Sequence, residues 1–315
     1  MYKNLFIVLV TLATAQFCCG QSTYRPKIAE FGIETLRDYD VKSNSESLGN
    51  DSNEVDEDRL IKAKLGIPII IKEDRLFGLQ LKYYQHQFEF DEEDQAANND
   101  LFQHLNTRSF TSAGIRFFYQ QNVRDNQQFR IIGGAELQSD VFQWNRNTTK
   151  HFISGTYSWK PSETTEIGAG VVVNRVMGIT AVYPLFLVNK DLSPRWNMNL
   201  TLPKSASMRY NLNDRNFLIA TTELRGWRYN LTEAVPTYQR NLILRRVDLQ
   251  FSLSWEHEIH DWLWFGLDIG YNKNLQYFVA NPGDRARNAL IDLRSQDAAY
   301  TKLSLFIVPP RKFFK

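Results

Sequence analysis

Cysteine is almost missing from this chain: its 315 residues contain two, Cys18 and Cys19, adjacent and inside the first twenty. Those twenty residues place Lys3 before an apolar core from Leu5 to Ala15, too short to span a bilayer. Small residues follow and then polar Gln21, so residues 1–20 read as a signal peptide for export. Cleavage after Gly20 removes both cysteines; cleavage after Ala15 keeps both, and the two sites stay open. Lipidation needs a small residue before the modified cysteine, and Phe17 and Cys18 stand there instead. A mature chain cut after Gly20 has no disulfide, no thiolate zinc site and no cysteine nucleophile.

Long apolar runs are missing too. Past Gln21 no eighteen consecutive apolar residues occur, which excludes a transmembrane helix. Charge of one sign is missing: 37 Lys and Arg against 35 Asp and Glu give a formal +2, without the basic footprint of a nucleic-acid binder. No nucleic-acid partner is expected. Histidine occurs five times, as His86, His104, His151, His257 and His260. Glu256-His257-Glu258-Ile259-His260 is not H-E-x-x-H and falls at a strand end, so its histidines read as turn residues. There is no G-x-S-x-G, and Ile131-Ile132-Gly133-Gly134 precedes no helix that would cradle a phosphate. The acidic stretches 43–58 (Glu46, Asp51, Glu54, Asp56, Glu57, Asp58) and 91–100 (Asp91, Glu92, Glu93, Asp94, Asp100) lack calcium-loop spacing. They read as solvated outer loops. No cofactor, metal or catalytic residue is expected, and the chain reads as a non-enzyme.

What is abundant is aromatic and alternating. There are 21 Phe, 14 Tyr and 7 Trp. Val247, Leu249, Phe251, Leu253 and Trp255 alternate with Asp248, Gln250, Ser252, Ser254 and Glu256, and Thr111–Gln120, Gln128–Gln138 and Leu263–Asn272 repeat the pattern. Such segments run longer than the ordinary strand and match a tilted bilayer crossing. Aromatics fall near their ends, at Tyr39, Tyr119, Trp144, Trp159, Trp196, Tyr210, Trp227, Tyr229, Trp255, Trp262 and Tyr271, as expected of interfacial girdles. The mean hydropathy of −0.40 fits strands with one polar face.

The predicted strands are 28–41, 57–72, 74–90, 107–122, 127–140, 149–160, 164–175, 178–190, 194–203, 204–212, 215–229, 243–258, 262–275 and 297–309. Connections near 72–75, 122–126, 161–163, 191–194, 213–214 and 260–261 are short. Those at 42–56, 91–106, 141–148, 230–242 and 276–296 are longer. Short periplasmic turns, long outer loops and an even strand number specify an all-β, transmembrane, antiparallel up-and-down β-barrel of about 14 strands. Twelve strands stay open if 194–212 forms one strand through Pro203. The expected organisation is a signal peptide at 1–20, a periplasmic segment at 21–27, an outer-membrane barrel at 28–309 and a tail at 310–315.

Residues 183–231 carry Tyr183-Pro184, Trp196, Leu202-Pro203, Arg209-Tyr210, Asn213-Asp214 and Arg228-Tyr229, in that order. This stretch resembles an uncharacterised family of outer-membrane β-barrels found in Bacteroidetes. The resemblance implies a barrel and an outer-membrane location, and no activity.

By phase, the barrel lumen is expected to receive Lys62, Lys64, Lys82, Arg116, Arg130, Glu136, Glu166, Arg209, Glu223, Arg225, Arg246, Asp248, Glu256, Asp268 and Lys302. Nine are basic and six acidic, a mild excess that would favour anionic or zwitterionic solutes. The simpler reading is that opposed Arg and Glu pair and brace the barrel. The expected function is a pore or transporter for small or amphipathic solutes. The alternatives are a structural or adhesive barrel displaying its loops and, with least support, a lipid-acting enzyme. Expected partners are outer-membrane lipid and lipopolysaccharide, the barrel-insertion machinery and a small solute.

Overall fold

The computed structural model describes residues 25–44, 52–91, 100–144, 148–176, 179–232 and 241–311. The expected signal peptide with Cys18 and Cys19, the acidic residues Glu46, Asp51, Glu92, Glu93 and Asp94, and the end of the tail lie outside them.

Alternation at period two becomes one closed antiparallel barrel. Its strands are β1 (Ala29–Asn44), β2 (Ser52–Ile71), β3 (Arg75–Phe90), β4 (Phe110–Arg124), β5 (Gln127–Ser139), β6 (Thr149–Ser162) and β7 (Thr165–Val176). They continue as β8 (Ile179–Asp191), β9 (Trp196–Leu202), β10 (Ser205–Asn213), β11 (Asn216–Leu231), β12 (Leu242–His260) and β13 (Leu263–Ala280). The last stave comes in two pieces, β14 (Ile291–Ser295) and β15 (Ala298–Ile307), so the wall has fourteen staves. Pairing of β1 with β15, from Ala29↔Ile307 to Leu36↔Tyr300, closes the ring. One helix, α1 (Asp100–Thr107), lies in the connection after β3. Leu202-Pro203-Lys204 is a turn, which decides against twelve strands.

Local chemistry sets the turns. Asn213 Oδ1 accepts the Arg215 amide at 2.9 Å, and Ser193 Oγ accepts the amides of Arg195 and Trp196 at 3.3 and 3.2 Å. Both are side-chain-closed turns of the kind these residues favour.

The apolar phase inverts along the tall strands. Low on β1, Phe31 and Ile33 point outward and are exposed; above the positive-φ residue Asp38, Tyr39 and Val41 are buried. On β13, Ile269 and Tyr271 are exposed, whereas Tyr277 and Val279 are buried; on β12, Phe251 and Leu253 are exposed and Leu242 and Leu244 buried. The lower section thus turns its oil outward in a belt, the arrangement of a transmembrane barrel. The upper section turns it inward and builds a core.

That core corrects two expectations. The stretches 42–56 and 276–296, expected as loops, are partly strand: β1 reaches Asn44, β2 starts at Ser52, β13 reaches Ala280 and β14 begins at Ile291. Their alternate residues Val41, Val55, Tyr277, Val279, Ile291 and Leu293 are the reason, since each is buried against the others. Glu54, Asp56, Glu57 and Asp58 therefore belong to β2. Likewise Tyr39, Trp227 and Tyr229 leave the expected aromatic girdle and pack into this core, while Trp159, Trp196, Trp255, Trp262 and Tyr271 stay exposed on the outside.

Candidate functional site

Register places carboxylates and cations opposite one another across the lumen. The pairing of β1 with β2 sets Glu30 beside Lys64, and Lys302, opposite Glu34 in the register with β15, reaches diagonally to Glu30; each Nζ is 2.9 Å from it, with Asp268 3.5 Å from Lys302. One step up, Glu34 holds Lys62 and Arg225. On the facing wall, Glu136 is fully buried and serves three cations: Arg116 at 2.7 Å, Lys82 at 2.9 Å and Lys150 at 3.9 Å. Higher still, Asp58 receives His86, the Tyr39 hydroxyl at 2.9 Å and Arg246 at 3.3 Å, while Arg246 also meets Asp248 at 2.9 Å.

The remaining lumen candidates are more scattered. Arg130 lies 3.8 Å from Glu166, and Glu223 is 3.6 Å from Lys204. The Arg209 guanidinium sits over the Phe217 ring, and Glu256 takes Lys27 at 2.7 Å. Phase reasoning passed over Glu30 and Glu34, although they share the lumen phase of β1 and face lysines it had selected. It also passed over Lys150, His86 and Asp58, although all three fall inside predicted strands; Asp58 was counted instead with the acidic stretch 43–58.

Both ends of the lumen are filled. At the inner end Phe217, Trp264, Phe306 and Val308 form a buried cluster, with Phe217 and Trp264 stacked 5.3 Å apart. Arg25 lies over Trp264, donates to the Pro309 carbonyl at 2.8 Å and pairs with Glu258, which Arg311 also bridges. At the outer end the inward-facing core is capped by α1, whose Leu101, Phe102 and Leu105 are buried in it. His104 Nε2, 2.9 Å from Asp140, and the Thr232 amide, donating to Asp140 at 2.7 Å, tie α1 to the rim.

Between these plugs lies a cavity of about 830 Å³. Its wall is incomplete on one side. The hairpin β9–β10 is only seven and nine residues long, so β9 pairs β8 from Phe186 downward and β10 pairs β11 up to Glu223. Leu224 donates to the Lys204 carbonyl; above it, among the described residues, Arg225–Tyr229 have no strand on that side, and neither do Ile179–Leu185 of β8. At Asn230 the wall resumes, because β11 meets Ser139 of β5 directly. The result is a window bounded by β8, the Lys204 turn, β11 and the end of β5.

The cavity passes through it. Inward Glu223, Arg225, Trp227 and Tyr229 line it, and so do outward Leu224, Gly226 and Arg228 of the same strand, with Arg245 and Val247 of β12 beyond. Exposed Val182 and Phe186 show that the apolar belt on β8 reaches window height. Directly below, an outward groove of about 770 Å³ runs between Met198, Leu200, Met208, Phe251 and Leu253, floored by Ala206, Ala220 and Thr222.

No curated protein matches the sequence. Among solved structures, the toluene transporter TodX of Pseudomonas putida is similar at 10% identity, covering 95% of this chain and 97% of that one, with a TM-score of 0.42. A FadL homologue of Pseudomonas aeruginosa matches at 10% identity, 94% and 98% coverage and a TM-score of 0.45. The translocator domain of autotransporter NalP from Neisseria meningitidis matches at 9%, 97% and 95%, with 0.34. These likenesses are of barrel outline and carry no activity across. A family model covers residues 21–281, most of the barrel, and the chain belongs to that family, described as Domain of unknown function (DUF6268).

Proposed function

We propose that this chain is an outer-membrane transport barrel that passes a small amphipathic solute through a side route instead of along a straight water-filled pore. One observation carries the reading: a cavity filled at both ends wraps around a stretch of β11 that has no strand beside it among the described residues, and is lined there by outward Leu224 and Gly226. Its volume is in the range of small-molecule sites. The ion pairs brace the lumen, and a paired charge offers little to a permeating ion. Expected surroundings are outer-membrane lipid and lipopolysaccharide, with insertion machinery needed for assembly. Display of outer loops is less well supported, since α1 is buried in the outer plug.

The test is reconstitution of the chain from Gln21 to Lys315, its insertion verified by a boiled-versus-unboiled gel shift. Planar bilayers should show no steady conductance, while proteoliposomes should admit an amphipathic fluorescent dye faster than protein-free vesicles. Stable current steps whose ion selectivity reverses in Arg116→Glu would replace this reading with an open pore.

A further inference from the structure

Charge inside the window is unbalanced. Among the described residues, ten that line the cavity are Lys or Arg and three are Asp or Glu; Glu30 and Glu136, just behind the lining, raise the acids to five. The imbalance is concentrated where Glu136, a single carboxylate, faces Lys82, Arg116 and Lys150. Lys82 and Arg116 hold its two oxygens at hydrogen-bond distance, which leaves Lys150, at 3.9 Å, the least committed of the three. Two positive charges remain over at this cluster. Arg116 and Lys150 keep about a third and a quarter of their side chains exposed to the cavity, so the excess charge faces open space that suits a dianion. Lys150 gives a phosphate a point charge, and Arg116, whose Nε and Nη2 are on Glu136, offers it the remaining Nη1.

A second observation speaks to the rest of the ligand. The outward groove under the window is apolar, and Thr222 at its top is two residues from Leu224 at the window sill, about 7 Å along the strand. On the other side, Leu200 and Ala206 of the groove flank the turn that carries Lys204. Cationic cavity and apolar groove are thus consecutive stretches of one surface.

We propose that the window selects an amphiphile with a phosphate-class, doubly charged head, the head held by Lys150 and Arg116 beside Glu136 and the alkyl chain lying in the groove below. The proposal rests on the side-route reading above and adds the ligand class to it.

The full mature chain in nanodiscs would be titrated calorimetrically with dodecyl phosphate, dodecanoate, dodecyl maltoside and glycerol phosphate. Dodecyl phosphate should bind at least tenfold more tightly than dodecanoate or the maltoside. Lys150→Gln should weaken it at least tenfold without altering the gel shift, and Arg124→Gln, at the far rim, should change nothing. Equal affinity for phosphate, carboxylate and neutral heads, or full affinity in Lys150→Gln, overturns the head-group site. Glycerol phosphate binding as tightly as dodecyl phosphate overturns the chain assignment and leaves a site for free phosphorylated solutes. Dodecyl phosphate that binds but is not carried into proteoliposomes counts against transport and leaves the site standing; dye flux with no preference among heads does the reverse.

Discussion

The two arcs of the barrel wall follow the same alternation and end differently. The tall arc, β1–β3 with β12 and β13, has strands of 16 to 20 residues; β7–β10 have 12, 13, 7 and 9. Along the tall arc each strand outlasts the apolar belt, its apolar phase turns inward, and the ends meet in a core that fills the outer mouth. Along the short arc the strands stop at the belt, so nothing remains to build a core and the wall opens sideways. Strand length beyond the bilayer, more than strand number, decides where this lumen meets its surroundings.

The largest expected contrast compares two carboxylates. Glu136→Gln, behind the closed wall, leaves buried Lys82 and half-buried Arg116 and Lys150 around a neutral amide and should cost about 3 kcal/mol. Glu223→Gln, at the window, removes a partner of the well-exposed Lys204 at 3.6 Å and should cost no more than about 1 kcal/mol. Urea unfolding in detergent, followed by the gel shift, gives both. Equal losses would mean that the window is as dry as the wall.

A pair of glycines sharpens the same contrast. A Cβ on Gly270 would lie 2.2 Å from the Phe251 carbonyl oxygen and 2.3 Å from a Tyr300 ring carbon, so Gly270→Ala should cost about 1–3 kcal/mol. On Gly226 the nearest atoms are 3.6 Å away. A Cβ there meets only ordinary contact, so Gly226→Trp should keep the folded gel shift while its indole covers the outer side of the window. Dye uptake into proteoliposomes should fall at least tenfold. Undiminished uptake in a folded Gly226→Trp would show that solute travels elsewhere.

How much of this was legible in the sequence follows from what is local. Alternation and turn chemistry are properties of neighbouring residues, and they gave all fourteen staves, including the break at Pro203. The inversion of phase was also written locally, in Tyr277, Val279, Ile291 and Leu293. It reads as loop when apolar residues are expected only on the outer face. Glu30 and Glu34 were within reach by parity from β1. The window was not, because it arises from the register of β8 against β9 and β10 against β11, non-local quantities that strand lengths alone do not fix. Three cations converging on Glu136 is likewise a property of register across β3–β6.

The smallest effect concerns the latch that joins the two arcs, where Asp140 at the end of β5 receives α1 and Thr232. Burial pushes the Asp140 carboxyl up, but the bonds from His104 and the Thr232 amide outweigh it and hold it below its ordinary 3.8. A depressed folded-state value stabilises above the ordinary one and is lost as pH falls through the depressed one. Docking of α1 should therefore be unchanged from pH 7 to about pH 4 and weaken only below about 3.8. Hydrogen exchange of amides 101–105, corrected for intrinsic rates, reads it directly. His104→Ala should raise that exchange at neutral pH by an amount equivalent to about 1–2 kcal/mol. Neither change should reach the β9–β10 hairpin, which no part of the latch touches among the described residues. Protection lost between pH 7 and 5 would show that Asp140 does not govern the latch, and parallel loosening of β9 and β10 would show that the outer plug and the window are one cooperative unit instead of two.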